Sequence, residues 1–204
     1  SFCDKEPENR AATLCAGAVR WAKCNLKAGD EYMISVAVIG GGASGMAFAV
    51  ALKQKRPDIE VAVFEKNPKV LKKILVTGNG RCNILNFDAV AEDYFEACEF
   101  VRPAVEKYAP KKTEAIFRDM GLLLMSEQEG RAYPISQTAA SVVCVLSSAA
   151  ERAGVKVFTD TPVKSIKKSQ GRFVINNDKS FDFAVIACGG AAAPKQGTDG
   201  SSFE

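Results

Sequence analysis

Gly40-Gly41-Gly42-Ala43-Ser44-Gly45 has the spacing GxGxxG at Gly40, Gly42 and Gly45, and an acidic residue, Glu65, lies twenty positions beyond Gly45. A run of this kind does its chemistry through the backbone. Gly40 permits a tight turn, Gly42 has no Cβ to obstruct a pyrophosphate, and Gly45 lets a helix pack closely on a strand. A helix that opens here offers its free N–H groups and a partial positive charge to phosphate oxygens. A carboxylate at Glu65 accepts hydrogen bonds from an adenosine ribose and favours a free 2′-hydroxyl over a 2′-phosphate. The plainer alternative is a glycine-rich turn without a ligand. Against it stands the context: a strand before the run, a helix after it, and the acid at the end of the next strand.

The elements that must position this turn are legible around it. Met33 to Ile39 is β-branched and apolar, as expected of a buried parallel strand. Met46 to Lys55 reads as a helix ended by Arg56-Pro57-Asp58, and Glu60 to Glu65 as a second strand, which makes a unit of the size of one βαβ crossover. Residues 67–86 form a basic and then glycine-rich connection. Residues 88–125 read as mostly helical, with breaks near Pro103, Pro110 and Gly121. Ser136 to Ala153 is a further helix, stopped by Gly154. Strand-like pieces follow at Val155–Thr159, Val163–Lys167 and Arg172–Asn176, and Phe181 to Ala187 is an apolar run. Residues 1–32 lack periodicity apart from a possible helix over Ala11 to Leu26, and are expected to be an extension preceding a domain over 33–204.

Composition removes several chemistries. The chain has 204 residues, a formal charge of +3 and no histidine, which excludes Ser-His-Asp and Cys-His catalysis and zinc sites with histidine ligands. Its charge balance, 27 basic against 24 acidic residues, is too even to imply nucleic acid. Seven cysteines, scattered and without CxxC spacing, argue against a disulfide framework or a structural metal site and suit a reducing cytosol. Met33 to Leu52 and Ala132 to Ala150 are uncharged, but glycines interrupt the first and Pro134, Gln137 and Thr138 the second. Neither reads as a membrane span, so a cytoplasmic protein without membrane or nucleic-acid partners is expected. The lysines at 107, 111 and 112 and at 164, 167 and 168 read as solvated faces.

GxGxxG does not separate FAD from NAD, since both present an ADP half. A second run, Lys72-Lys73-Ile74-Leu75-Val76-Thr77-Gly78-Asn79-Gly80-Arg81-Cys82-Asn83 with Asn86 after it, resembles the signature of the aminoacetone-oxidase-type (YhiN/BaiN-like) flavoproteins. The resemblance continues through Glu129-Gly130-Arg131, Tyr133-Pro134 and Ser136, and resumes at Ala187-Cys188-Gly189-Gly190, covering essentially all of 33–204.

The resemblance implies an α/β fold: a Rossmann-like FAD/NAD(P)-binding domain with a parallel sheet, a helical insertion and a β-meander. It implies an FAD-dependent oxidoreductase acting on a small-molecule substrate, with NAD(P)H as a candidate reductant. Gly40, Gly42 and Gly45 would hold the pyrophosphate and Glu65 the ribose. Lys73, Arg81, Cys82 and Asn83 would line the phosphate–flavin region, where Gly78 and Gly80 let the backbone approach a planar ring. Val163 would lie against adenine, and Ala43, Ser44, Lys66, Ala187, Gly189 and Gly190 complete the expected cofactor-binding set. Arg81 supplies a permanent charge, its alternative being a surface ion pair. Cys82, with no nearby cysteine or histidine to activate it, reads as a lining or packing residue rather than a nucleophile. The catalytic acid or base, the substrate and the oligomeric state are not assigned.

Departures from the family pattern are also visible. Its Gly-Arg-Lys is here Leu71-Lys72-Lys73, its A-T-G-G turn carries Cys188, and its closing glycine-rich segment departs after Gly200. Family members continue further, so the chain is expected to be a truncated part of such a protein. Two alternatives stand beside the flavoprotein: a non-catalytic nucleotide-binding module, and a simple NAD-dependent enzyme. Against the latter, the GNGRCN loop stands where βα alternation would continue.

Overall fold

The computed structural model describes residues 32–191, 194–196 and 200. In chain order its elements are β1 (Ser35–Ile39), α1 (Ala43–Lys55), β2 (Glu60–Phe64), β3 (Leu85–Asn86), α2 (Cys98–Lys107), α3 (Pro110–Asp119), β4 (Leu124–Ser126), β5 (Arg131–Pro134), α4 (Ala139–Arg152), β6 (Lys156–Phe158), β7 (Ile166–Ser169), β8 (Arg172–Ile175), β9 (Lys179–Phe181) and β10 (Phe183–Ile186). They fall into two compact units, one containing residues 89–109 and the other 33–88 and 110 onward. A helix over Ala11 to Leu26 lies outside the described residues.

In the larger unit, β1 is buried along its whole length at the interior of a four-stranded parallel sheet of order β10-β1-β2-β6. Side chains alternate across a strand, and here the alternation divides two cores. Val36 and Val38 of β1 and Val61 and Val63 of β2 pack with Met46, Ala49 and Val50 of α1 and with Val142 and Leu146 of α4. Ala37, Ile39, Ala62 and Phe64 pack on the opposite side with Ile175 of β8 and Phe181 of β9. A strand covered on both faces favours apolar residues at successive positions, which is why Val36 to Ile39 shows no polar alternation. Phe64 stacks on Phe158 at 5.3 Å between ring centroids and meets Phe181 edge-on at 5.7 Å, joining sheet and meander.

The chain leaves the parallel sheet twice. Between β2 and β6 it builds the antiparallel sheet β3-β5-β4 as well as helices, and between β6 and β10 it makes the meander β7-β8-β9. Asp182 secures the return: its carboxylate accepts from the Ser35 amide and hydroxyl, each at 2.8 Å, and from Arg172 at 3.0 Å. The parallel sheet, the helical insertion and the meander are those expected from the sequence.

Several boundaries differ. α1 begins at Ala43, three residues earlier than its apolar pattern suggested, because the glycine turn itself supplies the first helical turn. Pro103 does not break α2. It lies inside that helix, whose Arg102 bridges Glu92 at 2.8 Å and Glu99 at 3.1 Å. The helical reading of 88–125 holds as far as Asp119, but Leu124–Ser126 is a strand. Val163 precedes β7 instead of opening it, and the apolar run from Phe181 is divided at Asp182 between β9 and β10. No helix among the described residues is long and apolar enough to cross a membrane.

Candidate nucleotide-binding site

The carboxyl ends of β1, β2 and β10 converge on a cavity of about 520 Å³, the position at which open α/β sheets bind ligands. Its walls come from the turn Gly40–Ser44, from Phe64–Asn67 after β2, from Lys69 and Leu71–Ile74, from Pro162 and Val163, and from Ala187–Gly189.

The glycine turn is locked from several sides. The Gly40 amide donates to the Phe64 carbonyl at 2.8 Å, and the Ala187 amide to the Ile39 carbonyl at 2.8 Å. Gly40 has φ +109°, and a Cβ there would overlap the Ala187 carbonyl. A Cβ on Gly45 would overlap the Gly40 carbonyl oxygen. One on Gly42, in contrast, would meet nothing within 4 Å, and Gly42 faces the cavity. The three glycines therefore divide into two that close the turn and one that leaves room for a ligand.

The helix that follows starts without a side-chain cap and without an acidic residue in its first turn. The fold can cap helices: Thr138 Oγ1 accepts from the Ser141 amide at the start of α4. The bare start of α1, with Ala43 and Ser44 in the cavity wall, keeps amide donors and the positive end of the helix dipole for an anion. Among the described residues, four lysines, Lys66, Lys69, Lys72 and Lys73, line the same cavity, with Glu65 as the one acidic lining residue.

Glu65 is 8% exposed. Its Oε2 accepts from the Gly41 amide at 2.8 Å, and its Oε1 from the amide and side chain of Asn67, at 2.8 and 2.6 Å. Of the expected cofactor-binding residues, Gly40, Gly42, Ala43, Ser44, Glu65, Lys66, Lys73, Val163, Ala187 and Gly189 line the cavity. Gly45 supports the turn from behind, and Gly190 is outside the lining.

Gly80, Arg81, Cys82 and Asn83 are not among the residues that line this cavity. Their loop is held elsewhere. Arg81 pairs with Glu127, donates to Gln137 Oε1 at 2.6 Å and lies 4.0 Å from the centre of the Tyr133 ring. The guanidinium thus clamps the loop to the β4–β5 sheet, the ion-pair alternative, and the Glu127 hydrogen bond raises its already high pKa. Gly80 and Asn83 are exposed. Cys82 is 6% exposed and part of the larger core.

Burial pushes the Cys82 thiol above its ordinary range, against a smaller opposing hydrogen bond with Thr77. Alkylation needs the thiolate, so Cys82 is expected to react at least about tenfold more slowly than exposed Cys144. Iodoacetamide labelling of the folded chain at pH 8, read by peptide mapping, checks this. Equal rates at the two sites would contradict it.

The two departures at 71 and 188 have local explanations. Leu71 has φ +60°, in the region that favours glycine, and its amide donates to the Gly41 carbonyl at 2.8 Å. Its side chain is buried in the larger core. Cys188 lines the cavity and its thiol donates to the Ile39 carbonyl at 3.4 Å, a weak bond where a hydroxyl would make a stronger one.

Asn67, Lys69, Leu71, Lys72, Thr77 and Pro162 line the cavity without having been assigned from sequence. For Asn67 a signal existed: a carboxamide two residues after the acid at a strand end.

The chain matches the family described as HI0933-like protein Rossmann domain over residues 34–204. It is 38% identical over 175 residues to the 3-dehydro-bile acid delta(4,6)-reductase of Clostridium scindens, covering 84% of this chain and 42% of that protein. It is 26% identical over 168 residues to the ribosomal RNA dihydrouridine synthase of Haemophilus influenzae, covering 78% of this chain and 41% of that protein. The chain therefore spans about two-fifths of the length of these curated relatives. Among solved structures, Thermovibrio ammonificans THI4 is similar at 18% identity and a TM-score of 0.47, covering 70% of this chain and 47% of that one. By its match over nearly all of the described residues, the chain belongs to the HI0933-like Rossmann-domain family, the flavoprotein family that its GNGRCN loop resembles.

Proposed function

We propose that this chain is the FAD-binding part of a flavin-dependent oxidoreductase that acts on a small organic substrate. The observation that carries the reading is the cavity at the strand ends: an uncapped helix start, an open Gly42 and a fixed carboxylate at Glu65 around one space. A diphosphate fits the first two features and an adenosine ribose the third. Gly42, Ala43 and Ser44 would receive the pyrophosphate, Glu65 the ribose, and Pro162 and Val163 the adenine.

When bound, the flavin supplies two-electron transfer through N5, and the protein supplies binding, orientation and charge. Lys73 and its lysine neighbours would offset the diphosphate charge, and Ala187–Gly189 form part of the cavity wall. The relative at 38% identity is named as a reductase of a bile acid. That name supports hydride delivery to a double bond of a small substrate. We further take NAD(P)H as the external reductant and the cytoplasm as the location.

The test is reconstitution. The purified chain is mixed with excess FAD, desalted and examined by visible absorption. A flavin spectrum, with FAD recovered on denaturation, is the expected result. A colourless protein that retains NAD instead would overturn the flavin assignment.

A further inference from the structure

We propose that Asn67 is the positioning residue for the Glu65 carboxylate, turning it so that Oε2 alone is presented to a ligand hydroxyl. The inference rests on the dinucleotide reading above and assigns the atom that makes its ribose contact. A carboxylate oxygen accepts about two hydrogen bonds. Oε1 is filled from one residue, by the Asn67 amide at 2.8 Å and by Asn67 Nδ2 at 2.6 Å. Oε2 accepts the Gly41 amide at 2.8 Å and keeps one lone pair. Gly41, Glu65 and Asn67 all line the cavity, so the carboxylate and its donors stand together at the wall of the site.

Two of the three donors are backbone groups that come with the fold. The third, Nδ2, is the side-chain contribution, and it sets the rotation of the carboxylate about its own axis. Asn67 is in turn anchored: its carbonyl accepts from the Asp160 amide at 3.1 Å, while the Glu65 carbonyl accepts from the Thr161 amide at 2.8 Å. These bonds hold the backbone of 65–67 to the segment that leads into Pro162 and Val163. Loss of the Asn67 side chain therefore frees the carboxylate without removing the backbone bonds that shape the cavity. A ligand that uses the carboxylate should lose affinity, and one that uses only the helix start should not.

The test compares ADP, which carries both diphosphate and ribose, with inorganic pyrophosphate, which carries the diphosphate alone. Binding to the full chain is measured by calorimetry for the unaltered protein, Asn67→Ala and Asn67→Asp, with urea midpoints of all three to confirm folding. The unaltered chain is expected to bind ADP more tightly than pyrophosphate. Asn67→Ala should weaken ADP about tenfold, the loss typical of one hydrogen bond to a charged group, and leave pyrophosphate unchanged. Asn67→Asp should weaken ADP further, because two carboxylates in contact repel and turn Glu65 aside.

Unchanged ADP affinity in Asn67→Ala would overturn the proposal. An equal loss for both probes would overturn it too, since Asn67 would then merely shape the cavity. If the unaltered chain binds neither probe, the dinucleotide reading itself fails and the proposal falls with it; that result is distinct from the other two.

Discussion

Replacing Gly45 with alanine is expected to destabilise the chain by about 3 kcal/mol, a large part of the stability of an ordinary domain. Its added Cβ would overlap the Gly40 carbonyl oxygen, lie 3.2 Å from the Gly40 carbonyl carbon and 3.3 Å from Ala187 Cβ. The first two of these atoms are backbone, so no rotamer change makes room. Helix α1 would have to move away from the end of β1, and Met46, Ala49 and Val50 would move with it out of the larger core. Urea denaturation of the two proteins at equal ionic strength measures the loss as a lower midpoint. An unchanged midpoint would mean that the helix does not pack against the turn as described.

Gly42→Ala is expected to behave in the opposite way. Gly42 has φ −76° and ψ −172°, a conformation open to any residue, and its Cβ would meet no protein atom within 4 Å. The urea midpoint should therefore shift by less than the equivalent of about 1 kcal/mol, the scale of exchanging one N-cap residue for another. The methyl group projects into the cavity, however, where the pyrophosphate would lie closest to the backbone. FAD affinity should fall at least about tenfold, or roughly 1.4 kcal/mol. Fluorescence titration of FAD against both proteins reads this directly. The pair of substitutions separates the two uses of glycine within six residues: Gly45→Ala acts on the fold, Gly42→Ala on the ligand. Equal FAD affinity for Gly42→Ala and the unaltered chain would place the diphosphate elsewhere.

The sequence revealed most about the part of the fold built from local pattern. The apolar run of β1, the glycine turn, α1 and β2 are contiguous, and each reports its own burial through its composition. The cavity wall formed by these segments was legible for the same reason, including Glu65 at the end of β2. The contribution of Ala187 followed from resemblance, because it comes after β10, whose pairing with β1 spans nearly the whole described chain.

What pattern did not reveal depended on long-range pairing or on backbone conformation. The strands β3, β4 and β5 are two to four residues long, too short to show a period, and they exist because they pair with one another. Arg81 was expected near the cofactor from the family resemblance of its loop. Its clamp on Glu127, Gln137 and Tyr133 brings together three residues 46 to 56 positions away. The left-handed backbone at Leu71 likewise carries no signal in a leucine. It became interpretable only once the turn was seen to donate to the Gly41 carbonyl.

On the proposed function, the cavity at the ends of β1, β2 and β10 receives the ADP end of FAD. Displacement tests it most directly: FAD is bound to the unaltered chain and competed with ADP or with riboflavin at matched concentrations, following flavin fluorescence. ADP is predicted to release the bound FAD, and riboflavin, which has no diphosphate or adenosine, to leave it in place. Displacement by riboflavin but not by ADP would contradict the account, because the chain would then hold the flavin ring and not the nucleotide end.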